Sequence, residues 1–201
     1  MKLLTVFTII FSSLVLLGCN SQPTPTSHYY MLNQQLDIEN LTGVSPIKKI
    51  QLTLPEYLKQ PNLILQLSEH ELSYAYYHMW AENLDEAITK SLQLDLKALV
   101  KSVKPEVDKI VSTKERANLV LNIDHFYATI DSKVVLAGNY TLVNTQQTLA
   151  LSPQYSFAFN TDIDENGYPN SVAKMRLLVQ QLAQDVYQNY NMMTATQALK
   201  K

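Results

Sequence analysis

The stretch Glu71–Val103, ELSYAYYHMWAENLDEAITKSLQLDLKALVKSV, decides the fold. In its first ten residues Leu72, Tyr74, Tyr76 and His78 alternate with Ser73, Ala75, Tyr77 and Met79. A period of two is the mark of a strand. At Trp80 the period changes. Trp80, Leu84, Ile88, Leu92, Leu96, Leu99 and Val103 recur at three- and four-residue spacing, which is one face of an amphipathic helix. Asn83 with Glu86 three residues on resembles a capping box with Asn in place of Ser or Thr. Pro105 marks the end region of the helix.

Reading outward, Asn62–Leu67 forms the other arm of a hairpin that turns around Ser68–His70. Before it, Ile47–Leu54 places Ile50, Leu52 and Leu54 on one face, and Pro55 ends it in a short helical turn. His28–Leu32 reads as a first strand, followed by a loop over Gln34–Ser45. Past the helix, Asn118–Ile130, Lys133–Asn144 and Thr148–Asn160 read as a three-strand meander, with a tight turn at Asp131-Ser132. Pro153 fits an edge or a bulge. A last helix spans Ser171–Asn189 with Val172, Met175, Val179, Leu182, Val186 and Tyr190 on its apolar face. The expected class is α+β: a mostly antiparallel, or mixed, sheet with two amphipathic helices on one face.

The start of the chain is of a different kind. Lys2 precedes an apolar run, Leu3–Leu17, that ends in Gly18 and the only cysteine, Cys19. A positive residue, a short apolar stretch and a small residue describe an export signal. The run is short for a membrane span of about 20 residues. Leu16-x-Gly18-Cys19 resembles the bacterial lipobox, which implies cleavage before Cys19 and acylation of its thiol, with palmitate among the acyl chains. The other reading is an ordinary signal peptide that contains a cysteine. A disulfide needs a second cysteine, and a thiolate zinc site needs several. Asn20 stands where Asp would mark retention in the inner membrane, so the resemblance implies the periplasmic side of the outer membrane. The expected organisation is a lipoprotein signal peptide at 1–18, a lipidated cysteine and flexible linker at 19–27, one domain at 28–190 and a loosely ordered tail at 191–201.

Composition narrows the function. The chain's net charge of −2 becomes −3 once Lys2 leaves with the leader, and no basic patch favours nucleic acid. Glycine occurs 4 times, and no phosphate-cradling motif is present. There is no G-x-S-x-G. Asp162, Asp164, Asn166 and Gly167 match the first half of a calcium loop, but the twelfth position is Ala173 where a Glu is required. The bland reading is an acidic turn in which Gly167 adopts positive φ. His70, Glu71, His78 and Glu82 lack any metal-binding spacing, and His125 shares parity with Leu121 and Ile123, as a core histidine would. No catalytic residue, metal or cofactor is expected. Tyr74, Tyr76, Tyr77 and Trp80 form either core or a candidate interface or lipid-facing groove.

Taken in order behind the lipobox, Leu54-Pro55-Glu56-Tyr57-Leu58, Trp80-Ala81-Glu82-Asn83-Leu84 and Asn166-Gly167-Tyr168 resemble the auxiliary lipoprotein component of ABC-type intermembrane transport systems, the PqiC/YmbA family. The resemblance implies a non-catalytic accessory that docks or stabilises a periplasmic tunnel of the mammalian-cell-entry (MCE) type at the outer membrane. It would support lipid transport and envelope integrity. It implies an MCE tunnel protein and the membrane as partners, with self-association into a ring a natural geometry. The alternative is a lipid carrier with an apolar pocket between sheet and helices.

Overall fold

The computed structural model describes residues 25–33, 44–103, 116–144 and 152–198. The signal peptide, Cys19, Asn20, most of the linker and the last three residues of the expected tail lie outside the described residues. So does most of the loop after the first strand. Among the described residues seven strands are formed: β1 His28–Tyr30, β2 Ile47–Thr53, β3 Asn62–Ser68, β4 Glu71–Trp80, β5 Ala117–Thr129, β6 Lys133–Val143 and β7 Gln154–Asp162. The helices are α1 Leu84–Val103 and α2 Tyr168–Ala198, with a 3-10 turn at Glu56–Lys59.

The strands make one sheet in the order β1-β4-β3-β5-β6-β7, with β2 also paired to β5. β2 runs beside the first half of β5, and β3 beside its last residues. The fold is α+β, as the change of period predicts. The sheet is mixed: β3–β4, β5–β6 and β6–β7 are antiparallel, whereas β1–β4, β2–β5 and β3–β5 are parallel. The β3–β4 and β5–β6 pairs join chain neighbours through tight turns. The β5–β6 turn, for example, places Ser132 at φ 57°.

The core lies between the sheet and the two helices. Leu84, Ile88, Leu92 and Leu96 of α1 are buried against it, as are Val172, Met175, Val179, Leu182 and Val186 of α2. Sheet positions Leu119, Leu121, Ile123, Leu136, Tyr140 and Leu142 fill the facing side. Each fully buried aliphatic side chain contributes about 1.5–3 kcal/mol. α1 begins after Asn83, whose carbonyl accepts the Ala87 N–H at 3.0 Å. Ser91, fully buried on α1, donates to Asn33 Oδ1 at 2.7 Å, and Asn33 Nδ2 donates to the Ala87 carbonyl at 3.3 Å. These bonds tie the chain just after β1 to the helix.

Three details differ from the sequence reading. Trp80 is the last residue of β4, and the helix starts four residues later. Its ring stacks on Phe126 at 6.3 Å between centroids. α2 continues through Ala198, across most of the segment expected to be loose. Its Met, Gln and Ala residues are good helix formers. Finally, β5 slips register between Ile123 and His125. This bulge turns Phe126, not His125, toward the core. His125 is exposed, and its Nδ1 meets the Tyr127 hydroxyl at 2.8 Å.

Candidate functional site

Among the described residues the sheet has one helix-covered face and one open face, and the open face changes character along its width. At the middle of β5, β6 and β7 it carries a polar cluster. Asn122 Nδ2 donates to Asn139 Oδ1 at 3.1 Å, and Gln154 Nε2 donates to the same oxygen at 2.7 Å. Toward β3 it becomes aromatic. Tyr57 donates its hydroxyl to the carbonyl of Asp124, the extra residue of the β5 bulge. Tyr74 reaches the Tyr57 carbonyl at 3.5 Å. Burial, with Tyr127, the Asp124 charge and Tyr74 close by, pushes the Tyr57 phenol up to about 12.

At the β1–β4 edge the aromatic surface becomes bare. Tyr76 is 85% exposed and Tyr29 65% exposed. Tyr29 is the register partner of Met79 on β4. Tyr77 stands two residues before Met79 and is also exposed, its ring 6.2 Å from that of Tyr76. Met31, at 64%, continues the surface just past β1. Of the four aromatic residues singled out from sequence, Tyr76 and Tyr77 therefore lie on this edge. Tyr74 belongs to the tied-down Tyr57 group. Trp80 is 7% exposed and belongs to the core. Sequence reasoning missed Tyr29 and Met31, because three residues of strand are too few to show which side faces out.

The helix-side surface of the same edge carries a second feature absent from the sequence reading. The ring of His78 stacks on Tyr168 at 3.7 Å and on His28 at 5.2 Å. Its Nδ1 lies 2.7 Å from the Tyr30 hydroxyl. Desolvation, and then the neighbouring His28, hold His78 below the ordinary histidine range. This group joins β1, β4 and the first residue of α2. His70 and Glu71 sit at the other end of the ten-residue β4. They are roughly 25 Å away at about 3.3 Å per residue, so His70, Glu71, His78 and Glu82 do not assemble.

The acidic turn before α2 is structural in its contacts. Asp164 accepts from Asn170 Nδ2 at 2.9 Å and from Lys174 Nζ at 2.7 Å. These two bonds hold its carboxyl below the usual range. Gly167 takes φ 111°, a conformation that other residues rarely adopt. Asp162 is the last residue of β7, in register with Lys133. Among the described residues no group of three or more His, Cys, Asp or Glu is placed to hold a metal ion. A shallow, open groove of about 590 Å³ runs between β2 and α1, lined by Ile50, Leu52, Asp85, Glu86, Thr89 and Lys90. Among the described residues no helix is long and apolar enough to cross a membrane.

These features define a two-layer α+β module, a mixed seven-stranded sheet with helices on one side and an aromatic edge at its N-terminal strand. The chain belongs to the family of ABC-type transport auxiliary lipoprotein components, whose model matches residues 45–187. Two solved structures share the fold. One is described only as an uncharacterized protein; it is 18% identical, with 82% of this chain and 99% of that chain covered, at a TM-score of 0.62. The other is protein XCC0632 from Xanthomonas campestris, of family DUF330, 10% identical with 90% and 94% covered, at a TM-score of 0.57. No functionally curated protein matches the sequence.

Proposed function

We propose that this protein is a lipid-anchored periplasmic lipoprotein that serves as a non-catalytic accessory of an intermembrane lipid transport system. It docks or stabilises an MCE-type tunnel at the outer membrane. The match of residues 45–187 to the transport auxiliary lipoprotein family carries the reading. The Leu16-x-Gly18-Cys19 motif supports the anchor at Cys19, and Asn20 supports the outer membrane. The rival lipid-carrier reading requires apolar space between sheet and helices. That layer is occupied by packed side chains such as Leu92, Leu96, Leu121 and Val179, all fully buried, which favours the docking role.

Mild crosslinking in cells followed by purification of the lipoprotein tests the docking role directly. Recovery of an MCE-type tunnel protein supports it, and recovery of none counts against it. Asn20→Asp tests the location. The protein should move from the outer- to the inner-membrane fraction, and an unchanged distribution would remove this ground for the assignment.

A further inference from the structure

We propose that the β1–β4 edge is a lipid-interface seat. In this arrangement Tyr29, Tyr76 and Tyr77, with Met31, rest in the headgroup region of the membrane that holds the Cys19 anchor. The inference rests on the anchored reading above and adds which surface of the domain faces the bilayer.

Three observations converge on this edge. The first is chemical. Tyrosine is an amphipathic ring with a polar tip, suited to the boundary between headgroups and acyl chains. Tyr76, Tyr29 and Tyr77 present three such rings exposed at one corner of the sheet, and Met31 adds an exposed apolar side chain just past β1.

The second is chain geometry. His28 opens β1, and β1 is the outermost strand of its side of the sheet. Only Asn20–Ser27 separates Cys19 from that strand. Eight residues, two of them prolines, reach about 25 Å at roughly 3.1 Å each. An acylated Cys19 therefore confines the start of β1 to within that distance of the bilayer, and sets no such limit on the far edge.

The third is contrast. The same open face becomes a ladder of Asn122, Asn139 and Gln154 over β5–β7, chemistry that favours water. The polar cluster thus sits on the far strands, and the exposed rings sit toward the strand that the anchor holds. A face built for a soluble partner alone gives no reason for the exposed rings to cluster at the anchored end.

The test uses the full lipidated chain in vesicles of phosphatidylethanolamine and phosphatidylglycerol, with no transport partner present. Once Cys19 is acylated no other thiol remains in the chain, so one introduced cysteine takes a fluorescent probe. Met31→Cys places it on the proposed seat, and Ser156→Cys places it on exposed β7 at the opposite edge. Lipids carrying a spin label at the headgroup should strongly quench the probe at position 31 and leave the one at 156 nearly unquenched. Adding Tyr29→Ser, Tyr76→Ser and Tyr77→Ser should remove most of the quenching at 31 while the protein still floats with the vesicles. Equal quenching at the two positions in a protein that floats overturns the seat and leaves the anchor intact. A protein that fails to float overturns the anchor and the seat with it. Tunnel docking is judged separately, by the crosslinking experiment.

Discussion

Arg176 on α2 grips Asp95 on α1 through two charge-assisted hydrogen bonds, 2.7 and 2.6 Å long. Both side chains are nearly buried, at 13% and 12% exposure. The pair fixes how the two helices lie against each other on the sheet. Removing one partner leaves an unpaired buried charge, which costs about 3–5 kcal/mol. Asp95→Ala should lose that much in urea unfolding, whereas Asp95→Leu with Arg176→Met should recover most of it. A double variant as unstable as the single one would show that the pair's charges, not just its volume, are required.

Gly138 on β6 faces the β5 bulge. A Cβ there would lie 2.1 Å from the carbonyl oxygen of Asn122, a backbone atom that cannot rotate away. Gly138→Ala should therefore cost roughly 2 kcal/mol or more, at the upper end of overpacking effects. Ala137, one residue earlier in β6, is the register partner of His125. Ala137→Val should be close to neutral, as expected for a residue suited to a strand. Thermal unfolding of the two variants side by side checks the contrast, and equal stability would mean the bulge relaxes freely.

Tyr140 is fully buried, yet its hydroxyl is well served. It donates to Asp185 Oδ2 at 2.6 Å and accepts from Asn189 Nδ2 at 2.6 Å. Burial and the Asp185 bond raise the phenol far above its ordinary range. Tyr140→Phe keeps the ring against Tyr155 and Phe157 but strips a partner from Asp185. A loss of about 1–3 kcal/mol is expected. Phe at 140 paired with Asp185→Leu should be less damaging, and denaturant midpoints of the two variants decide the point.

The change of period near Trp80 made the α+β class legible, because strand and helix each repeat within a few residues. The hairpin and the meander were legible for the same reason. Parallel pairing was not: Ile47 of β2 meets Ala117 of β5 far away in sequence, and nothing local in Ile47–Thr53 names its neighbour. His125 was misplaced because alternation was carried through a bulge that Asp124 does not announce. Trp80 satisfies both periods, since it closes the strand while its side chain already faces the core that the helix shares. Tyr76 and Tyr77 lie in β4 before the three residues that β1 covers, and no local pattern reveals where so short a strand will pair.

His78 should titrate below the usual value near 6.5, because burial and His28 disfavour its charged form. A lowered folded value means stability is present above pH 6.5 and is lost as the pH falls through the folded value. The groups facing the ring are His28, Tyr30 and Tyr168. Proton NMR of the ring should therefore show His28→Gln moving His78 upward, toward the ordinary range. No movement would leave burial alone as the cause.

At the alkaline end Tyr57 sets a window. Its phenol is pushed from the ordinary 10 up to about 12, chiefly by burial and then by Tyr127, Asp124 and Tyr74. For a group raised in the folded state, the stability it contributes is complete below pH 10 and is lost as the pH rises through about 12. The ionised phenol can no longer donate to the Asp124 carbonyl, so the β5 bulge loses its cross-strand tie in this window. Difference absorbance of tyrosinate should show a late-titrating component that disappears in Tyr57→Phe. That variant should also be less stable at neutral pH by about 1 kcal/mol, the net worth of an ordinary hydrogen bond, and its stability should fall less between pH 10 and 12. An unchanged absorbance profile in Tyr57→Phe would show that the late-titrating phenol is another tyrosine.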